Sequence, residues 1–279
     1  MKKRVITAIV ALCVFIPILI FADTPALPIG LAVCTLLAVY EMLGCTGLRR
    51  SVAVSIPFYL CAAAIPFIIR YCPEYLLRIA VSITLLTVLY LFGVLIFSKG
   101  KYAITDIAVS FLGILYALIG LCAILYIHDR VDGGKYIYLI VFIGAWVTDT
   151  FAYFSGMLFG RGGKHKLIPE VSPKKTVEGS IGGILFCILA MILFGFIIEK
   201  IDGSLQAKYP ILAIGGLAIS VVAQIGDLSM SVIKRHYGIK DYGFIFPGHG
   251  GILDRFDSVI AVSVVLAVFT AFFPLFEVI

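Results

Sequence analysis

The sequence predicts an all-α integral membrane protein, a polytopic bundle of about nine transmembrane helices. Of its 279 residues, 62% are hydrophobic and only 14% are charged, whereas roughly a quarter of a soluble domain is charged. Apolar runs recur along the whole chain, each close to the roughly 20 residues that a helix needs to cross a bilayer. Helix is the expected state of each run, because backbone groups in lipid must be hydrogen-bonded within the segment.

These apolar runs define nine candidate spans in chain order. They cover residues 5–22, 27–44, 52–69, 76–97, 103–127, 136–160, 179–198, 209–233 and 253–276. The first follows Met-Lys-Lys-Arg and resembles a signal peptide, but it has no convincing small-x-small cleavage site, so we expect a retained helix. The second and third runs are short, and the fifth is compatible with one helix or with a split or re-entrant one.

Basic residues predict the orientation of the bundle, because Lys and Arg accumulate in cytoplasmic loops. With a cytoplasmic N-terminus, the cytoplasmic segments contain 16 of the 22 Lys and Arg residues. The two long polar loops, 161–178 and 234–252, then lie on the cytoplasmic face, and a bacterial inner membrane is the simplest location. Nucleic-acid binding is not expected, because the basic clusters are short and no soluble domain presents them.

Polar residues at membrane depth predict a functional division of the chain. An ionisable residue within a span marks a functional site by default, and most of these residues follow position 140. We therefore predict that residues 1–135 are mainly scaffold and that residues 136–279 form the catalytic region. Glu41 and Asp106 are exceptions in the first half. We expect each to lie near a span end or to bond to a neighbouring helix rather than to act in catalysis.

The sixth span carries a stripe of polar and small residues. Asp149, Tyr153, Gly156 and Gly160 occur at i, i+4, i+7 and i+11 and so share one helix face. The two glycines would let another helix approach closely, which would direct Asp149 into the bundle. An acid that only joins two helices is the alternative.

The loop after this span is basic and rich in glycine. Four of its side chains are candidates for binding a substrate phosphate: Lys164, Ser172, Lys174 and Lys175. Backbone N–H groups and lysines can hold phosphates, although the loop lacks the spacing of a Walker A motif. A topology signal, or a site for anionic lipid headgroups, remains an equal alternative for this loop taken alone.

Carboxylates at the last two spans indicate a metal-phosphate site. Asp227, Ser231 and Lys234 share one face of the eighth span, and Asp254 and Asp257 begin the ninth. Magnesium is usually bound by one or two carboxylates together with substrate phosphate oxygens.

We predict Asp227 and Asp254 as the leading Mg²⁺ ligands. Salt bridges to Lys234, Arg235 or Arg255 are the structural alternative, but buried salt bridges are weak stabilisers. His249 lies in Pro-Gly-His-Gly-Gly, where glycines allow a tight turn, and we expect it to contact a substrate phosphate. Zinc is not expected, because the four histidines are scattered and no thiol is placed to join them.

The run from Ser231 to Asp257 resembles one known family. It fits S-x-[aliphatic]-K-R-x4-K-D-x-G-x2-F-P-x-H-G-G-x2-D-R-x-D at every fixed position, the hallmark of phosphatidate cytidylyltransferases, or CDP-diacylglycerol synthases. Two upstream segments are similar to other motifs of that family: Asp149-x-x-Ala-Tyr-x-x-Gly156 and Ser172-Pro-Lys-Lys-Thr-x-Glu-Gly179. Together the motifs cover roughly residues 145–257.

This resemblance implies a Mg²⁺-dependent reaction of CTP with phosphatidate that gives CDP-diacylglycerol and pyrophosphate. Asp227, Asp254, Asp257, Lys234 and Arg235 are then the candidate catalytic residues. Asp149 joins the two leading metal ligands as a candidate for a second cation. Further substrate contacts are expected from Ser231, Lys240, His249 and Arg255. The resemblance also implies a homodimer, for which Gly179-x-x-x-Gly183 is a candidate close-packing face.

Two other functions remain open at this point. A CTP-dependent polyprenol or phytol kinase would transfer the γ-phosphoryl group and release CDP, but the full Ser231–Asp257 pattern argues against it. A secondary transporter for an anionic solute is favoured by intramembrane acids and glycine-rich helices. The acids here cluster near one face rather than the midplane, and no inverted repeat is visible.

Overall fold

The protein is built almost entirely from long helices. The structure, a computed structural model, describes residues 2–160, 165–248 and 250–278, with side chains from Ile6 onward. Its described part contains nine α-helices. They are α1 (Lys2–Ile20), α2 (Ala26–Cys45), α3 (Val52–Tyr71), α4 (Leu76–Phe97), α5 (Ile104–Arg130), α6 (Gly134–Phe159), α7 (Val177–Ile201), α8 (Tyr209–His236) and α9 (Leu253–Phe272).

Helix length and composition confirm the predicted fold class. Eight helices in the described residues, α2 to α9, are long and apolar enough to cross a membrane. The first helix is also apolar, but its searched part, Ile6–Ile20, is shorter than a full span. The protein is therefore a polytopic all-α integral membrane protein.

Helix ends differ from the predicted spans where local chemistry overrides hydropathy. The fifth span is one continuous helix, so the split and re-entrant alternatives are excluded. The ninth helix ends at Phe272, two residues before Pro274 and before the predicted end at 276, because a proline disfavours helical geometry in the residue before it. Helix α7 begins after Thr176, whose hydroxyl oxygen accepts a hydrogen bond from the Gly179 N–H at 3.1 Å.

Two short antiparallel strand pairs accompany the helices, and the sequence analysis did not predict them. Strand β1 (Lys166–Ile168) pairs with β2 (Ser172–Thr176), inside the predicted loop 161–178. Strand β3 (Leu205–Ala207) pairs with β4 (Phe276–Val278). Strands of three to five residues are too short to give a periodic hydropathy signal.

Packing divides the chain into two compact units. The first unit comprises Met1–Leu125 and Tyr237–Arg255, and the second comprises Tyr126–His236 and Phe256–Ile279. Most of the Ser231–Asp257 motif therefore belongs to the unit that contains the N-terminal helices. This division by packing differs from the functional division predicted at residue 135, which stays a prediction.

Small residues bring α6 and α7 close together within the second unit. A Cβ atom on Gly156 would lie 3.0 Å from Thr176 Oγ1, and one on Gly179 would lie 2.6 Å from the Ala152 carbonyl oxygen. The expected role of Gly156 in close helix packing is thus confirmed, with α7 as the partner helix.

The same helix pair accounts for the close-packing face predicted at Gly179-x-x-x-Gly183. A Cβ atom on Gly183 would lie 2.9 Å from the Thr148 carbonyl oxygen, and both Gly179 and Gly183 are buried. Helix α6 of the same chain covers Gly179-x-x-x-Gly183, so the pair is a close-packing face, as predicted, and its partner lies within one chain. Sequence spacing identifies a close-packing face but does not say which helix packs on it.

Replacing Gly182 by valine is expected to lower the free energy of unfolding by about 1–3 kcal/mol, the usual cost of overpacking. A Cβ atom at this position would lie 2.0 Å from Ser155 Oγ. Thermal unfolding of the detergent-solubilised protein measures the change. Gly93→Ala is the control, because a Cβ atom on this glycine of α4 would meet nothing within 4 Å. Equal unfolding temperatures for the two variants would contradict the packing argument.

Candidate active site

Asp254 is held by backbone amides of the first unit. It is buried in the first turn of α9, and its Oδ2 atom accepts hydrogen bonds from the N–H groups of Tyr242 at 2.7 Å and Gly251 at 3.0 Å. Hydrogen bonds from N–H groups to an ionised carboxylate are stronger than neutral ones. One oxygen of this predicted metal ligand therefore has a fixed position in the motif turn.

Glu41 of α2 binds the same turn. The residue is fully buried, and its Oε1 and Oε2 atoms accept hydrogen bonds from the N–H groups of Ile252 and Leu253, each at 2.9 Å. These N–H groups lie at the start of α9, where helix geometry leaves donors unpaired and favours negative charge. The expected role of Glu41, a bond to a neighbouring helix, is confirmed.

Glycines of the motif fit this arrangement in two ways. Gly248 and Gly250 have φ values of +80° and +85°, which other residues rarely adopt. Cβ atoms on Gly243 and Gly251 would lie 2.5 and 2.0 Å from Glu41 Oε1. The turn thus needs glycine both for its backbone conformation and for the space that the Glu41 carboxylate occupies.

Asp106 also contacts the motif segment. The Tyr237 hydroxyl group donates a hydrogen bond to Asp106 Oδ1 at 2.9 Å, which confirms the structural role expected for this acid near the start of α5. Burial raises the pKa of Tyr237, and the hydrogen bond to Asp106 raises it further. The phenol therefore keeps its proton at neutral pH and remains the donor.

Three carboxylates lie together in the second unit. Ser258 connects two of them: its hydroxyl donates to Asp149 Oδ2 at 3.2 Å, and its N–H donates to Asp257 Oδ1 at 2.9 Å. Asp227 and Asp149 are both close enough to Asp257 to repel it, and Lys234 is close enough to attract it. We call Asp149, Asp227 and Asp257 the acidic cluster.

Asp227 of this cluster has a cation beside it. Lys175 Nζ lies 2.6 Å from Asp227 Oδ2, and the Ser231 hydroxyl is 3.4 Å from Asp227 Oδ1. The Lys175 ammonium group is buried, and its ion pair with Asp227 does not have the geometry of a hydrogen bond. Lys234, on the same face of α8 as Asp227, is only 8% exposed. The predicted stripe Asp227–Ser231–Lys234 is thus joined by Lys175, a candidate phosphate-binding residue of the basic loop.

The remaining predicted substrate residues are exposed, half-buried or outside the described part of the chain. Lys174 is exposed on strand β2, where the next residue, Lys175, points to the opposite face. Ser172 is half-buried, and the side chains of Arg235, Lys240 and Arg255 are exposed. Lys164 and His249 lie outside the described residues, so their assignments stay predictions. Asp149 contacts Ser258 on α9 as expected for an inward-facing acid, but its side chain is exposed rather than packed away.

The acidic cluster fits a magnesium ion by its chemistry. Magnesium prefers carboxylate oxygens and commonly completes its shell with water and substrate phosphates, and here a lysine already offsets the charge of Asp227. Within the residues that the structure describes, no group of three or more His, Cys, Asp or Glu side chains forms a ready-made metal cage. The predicted pair Asp227–Asp254 belongs to two different units and stays a prediction.

Sequence reasoning missed two residues of this region. Glu41 was identified as a structural acid, but its partner, 211 residues away in the chain, was not. Ser258 was not singled out, although a hydroxyl directly after Asp-Arg-x-Asp inside an apolar helix was a usable signal. Its side chain is only 2% exposed.

Comparisons with known proteins extend the motif resemblance to the whole chain. The sequence model of the cytidylyltransferase family matches residues 2–273. A phosphatidate cytidylyltransferase of Staphylococcus haemolyticus is 35% identical over 260 residues, which covers 92% of this chain and 94% of that protein. The proteins of the same name from Staphylococcus epidermidis and Staphylococcus aureus are 36% and 37% identical with the same coverage. The expected resemblance and the expected class of enzyme, a nucleotidyltransferase, are confirmed.

Proposed function

This chain belongs to the cytidylyltransferase family, and on that premise we propose that it transfers the cytidylyl group of CTP to phosphatidate. The products are CDP-diacylglycerol and pyrophosphate, in phospholipid biosynthesis. The observation that carries this proposal is identity of 35–37% with phosphatidate cytidylyltransferases over 92% of the chain. The complete Ser231–Asp257 pattern supports it independently.

The reaction is an in-line displacement at phosphorus. A phosphate oxygen of phosphatidate attacks the α-phosphorus of CTP, a new P–O bond forms, and the bond to the β-phosphate oxygen breaks as pyrophosphate leaves. The attacking phosphate is already ionised near neutral pH, so this step needs no general base. Positioning of the two substrates and neutralisation of their charge then supply most of the rate acceleration.

Residues of the acidic cluster are suited to hold Mg²⁺, with Asp227 as the main ligand and Asp149 and Asp257 available for a second cation. A bound Mg²⁺ would supply neutralisation and orientation of phosphate oxygens. Asp254 is proposed as the second main ligand on the sequence pattern alone. Lys175 and Lys234 are proposed to contact substrate phosphates, because both are buried cations beside these carboxylates.

The protein is an integral membrane protein, and we place it in a bacterial inner membrane with its active site on the cytoplasmic side. The excess of Lys and Arg in the segments assigned to the cytoplasm, 16 of 22, supports this orientation. A cytoplasmic site also gives access to CTP, while phosphatidate arrives from the bilayer. A homodimer stays part of the proposal, without an assigned interface.

Labelled nucleotide tests the proposed reaction against the two other functions. Purified protein in detergent is incubated with Mg²⁺, CTP carrying ³²P at either the α- or the γ-phosphate, and either phosphatidate or a mixture of polyprenol and phytol. Cytidylyl transfer puts only the α-label into lipid and releases one pyrophosphate for each labelled lipid. Label from the γ-phosphate on a polyprenol or phytol would instead show a kinase. Folded protein that labels no lipid would overturn the proposal and favour the transporter.

Replacement of Lys175 by alanine is expected to lower kcat/KM for CTP by about 10- to 100-fold. A contact between charged groups is worth about 1.5–3 kcal/mol, and each 1.4 kcal/mol is tenfold in rate. Lys174→Ala is expected to have a smaller effect, because that side chain is exposed on the other face of β2. Lys200→Ala, at the opposite end of α7, is the control. Equal losses for Lys174→Ala and Lys175→Ala would contradict the structural distinction between them.

A further inference from the structure

We propose that Glu41 of α2 is a positioning residue for catalysis: it holds the Gly251–Asp254 turn so that the Asp254 carboxylate keeps its working position. This inference rests on the proposed function and assigns a catalytic task to the helices otherwise expected to be scaffold. Glu41 touches neither substrate nor metal in this proposal, and it acts through the backbone of the turn.

Three successive backbone N–H groups of the turn are bound by two carboxylates. Gly251 N–H donates to Asp254 Oδ2, Ile252 N–H to Glu41 Oε1 and Leu253 N–H to Glu41 Oε2, at 3.0, 2.9 and 2.9 Å. Each Glu41 oxygen therefore restrains one residue of the segment that leads directly into Asp254. A shift of Ile252 or Leu253 would move the Asp254 side chain with it.

A carboxylate without exposure to solvent is costly unless its charge is compensated. The N-terminus of α9 offers Glu41 two N–H donors and the positive end of a helix dipole. The positive charge of Arg49 attracts the Glu41 carboxylate, and the negative charge of Asp254 repels it. Arg49 is itself fixed, since its guanidinium lies 3.7 Å from the centre of the Tyr40 ring and its Nε donates to the Tyr40 carbonyl oxygen at 3.2 Å. The two N–H donors thus hold the Glu41 carboxylate in one place.

The motif glycines connect this contact to the active site. Gly243 and Gly251 both lack a side chain at the point where Glu41 Oε1 lies, and a Cβ atom on either would approach that oxygen to 2.5 Å or less. Two glycines of the Ser231–Asp257 pattern are therefore accounted for by Glu41 rather than by a substrate phosphate. The turn and this acid of α2 fit each other as one assembly.

The proposal predicts a specific defect in Glu41→Gln. A glutamine has one acceptor oxygen, so one of the two N–H groups would face an amide NH₂ group that cannot accept its hydrogen bond. We expect kcat to fall by about 10- to 100-fold, the usual loss when a supporting partner of a metal ligand is changed. The Mg²⁺ concentration for half-maximal rate should rise, while KM for phosphatidate stays unchanged.

Hydrogen exchange gives a second readout that does not depend on activity. In protein without metal or substrate, the amides of Ile252 and Leu253 should exchange faster in Glu41→Gln than in the unsubstituted protein. Glu74→Gln is the matched control, because Glu74 is exposed in the 3₁₀ turn Pro73–Tyr75 of the same unit. If Glu41→Gln does not fold, Gly243→Ala displaces the same carboxylate, because its Cβ atom would lie 2.5 Å from Glu41 Oε1, and it should produce both effects.

Each outcome decides the proposal. Faster exchange together with lower kcat and a higher Mg²⁺ requirement supports it. Faster exchange with normal kinetics would overturn it, because Glu41 would then only stabilise the fold. Unchanged exchange would overturn the contact itself. An unsubstituted protein without cytidylyl transfer would overturn the proposed function and this catalytic role, while exchange at Ile252 and Leu253 would still report separately on the contact.

Discussion

Asp227→Asn is expected to reduce kcat by at least about a thousandfold, since a metal ion contributes several kcal/mol of charge stabilisation in the transition state. Asn has nearly the same shape, and its amide oxygen can still accept from Ser231, which lies 3.4 Å from Asp227 Oδ1. The substitution removes the charge that pairs with Lys175 and repels Asp257. It therefore tests the negative charge at this position with little change in packing.

Steady-state cytidylyl transfer, measured on protein with an unchanged elution volume in detergent, checks this expectation. Asp202→Asn is the control: Asp202 follows α7 at the end opposite Lys175, where it binds Ser204 and Lys135. Those contacts lower the pKa of Asp202, so it is also an ionised acid of the second unit at neutral pH. Activity near normal in Asp227→Asn would refute its assignment as a metal ligand.

Asp254→Asn is expected to lower kcat by at least about a hundredfold without opening the turn. The asparagine oxygen can still accept from the N–H groups of Tyr242 and Gly251, now 2.7 and 3.0 Å from Asp254 Oδ2. The charge is lost, and with it the oxygen donor that magnesium prefers. Asp254→Ala is expected to abolish turnover and also to destabilise the turn, because the N–H groups of Tyr242 and Gly251 both lose their acceptor.

Comparison of the two substitutions separates charge from structure. Hydrogen exchange at Tyr242 and Gly251 should stay slow in Asp254→Asn and become fast in Asp254→Ala. Stabilisation of the unsubstituted protein by Mg²⁺ with CTP, measured as a shift in unfolding temperature, should be lost in both variants. If Asp254→Asn retains that stabilisation and its rate, Asp254 is a structural residue of the turn and not a ligand.

Hydropathy was sufficient to predict most helices. The predicted spans at 52–69, 76–97 and 209–233 begin where α3, α4 and α8 begin. A polar residue or a turn directly precedes each of these apolar runs and marks its start. The end of α4 was also predicted, at Phe97, whereas α3 and α8 continue past their predicted ends. Helix α8 continues to His236, since a long basic side chain at a helix end, such as the exposed Arg235, can extend to the aqueous interface.

The motif residues were predictable as a set but not as an assembly. Spacing placed Asp227, Ser231 and Lys234 on one face, and the structure places Lys175 there too, 2.6 Å from Asp227. Spacing also indicated that Gly179 and Gly183 pack closely, but it did not identify their partner, which is α6. Periodicity shows which residues share one face of a helix, but it carries no information on which helix packs against that face.

The sequence by itself determined the membrane class, the helical fold and the chemical family, because these depend on composition, apolar length and a local motif. Only the tertiary structure decided that Glu41 binds the start of α9, that Ser258 connects Asp149 with Asp257 and that most of the motif belongs to the unit of the N-terminal helices. The physical reason is that hydrogen bonds and ion pairs depend on distances of about 3 Å between atoms. Those distances are set by helix packing between residues that are far apart in the chain.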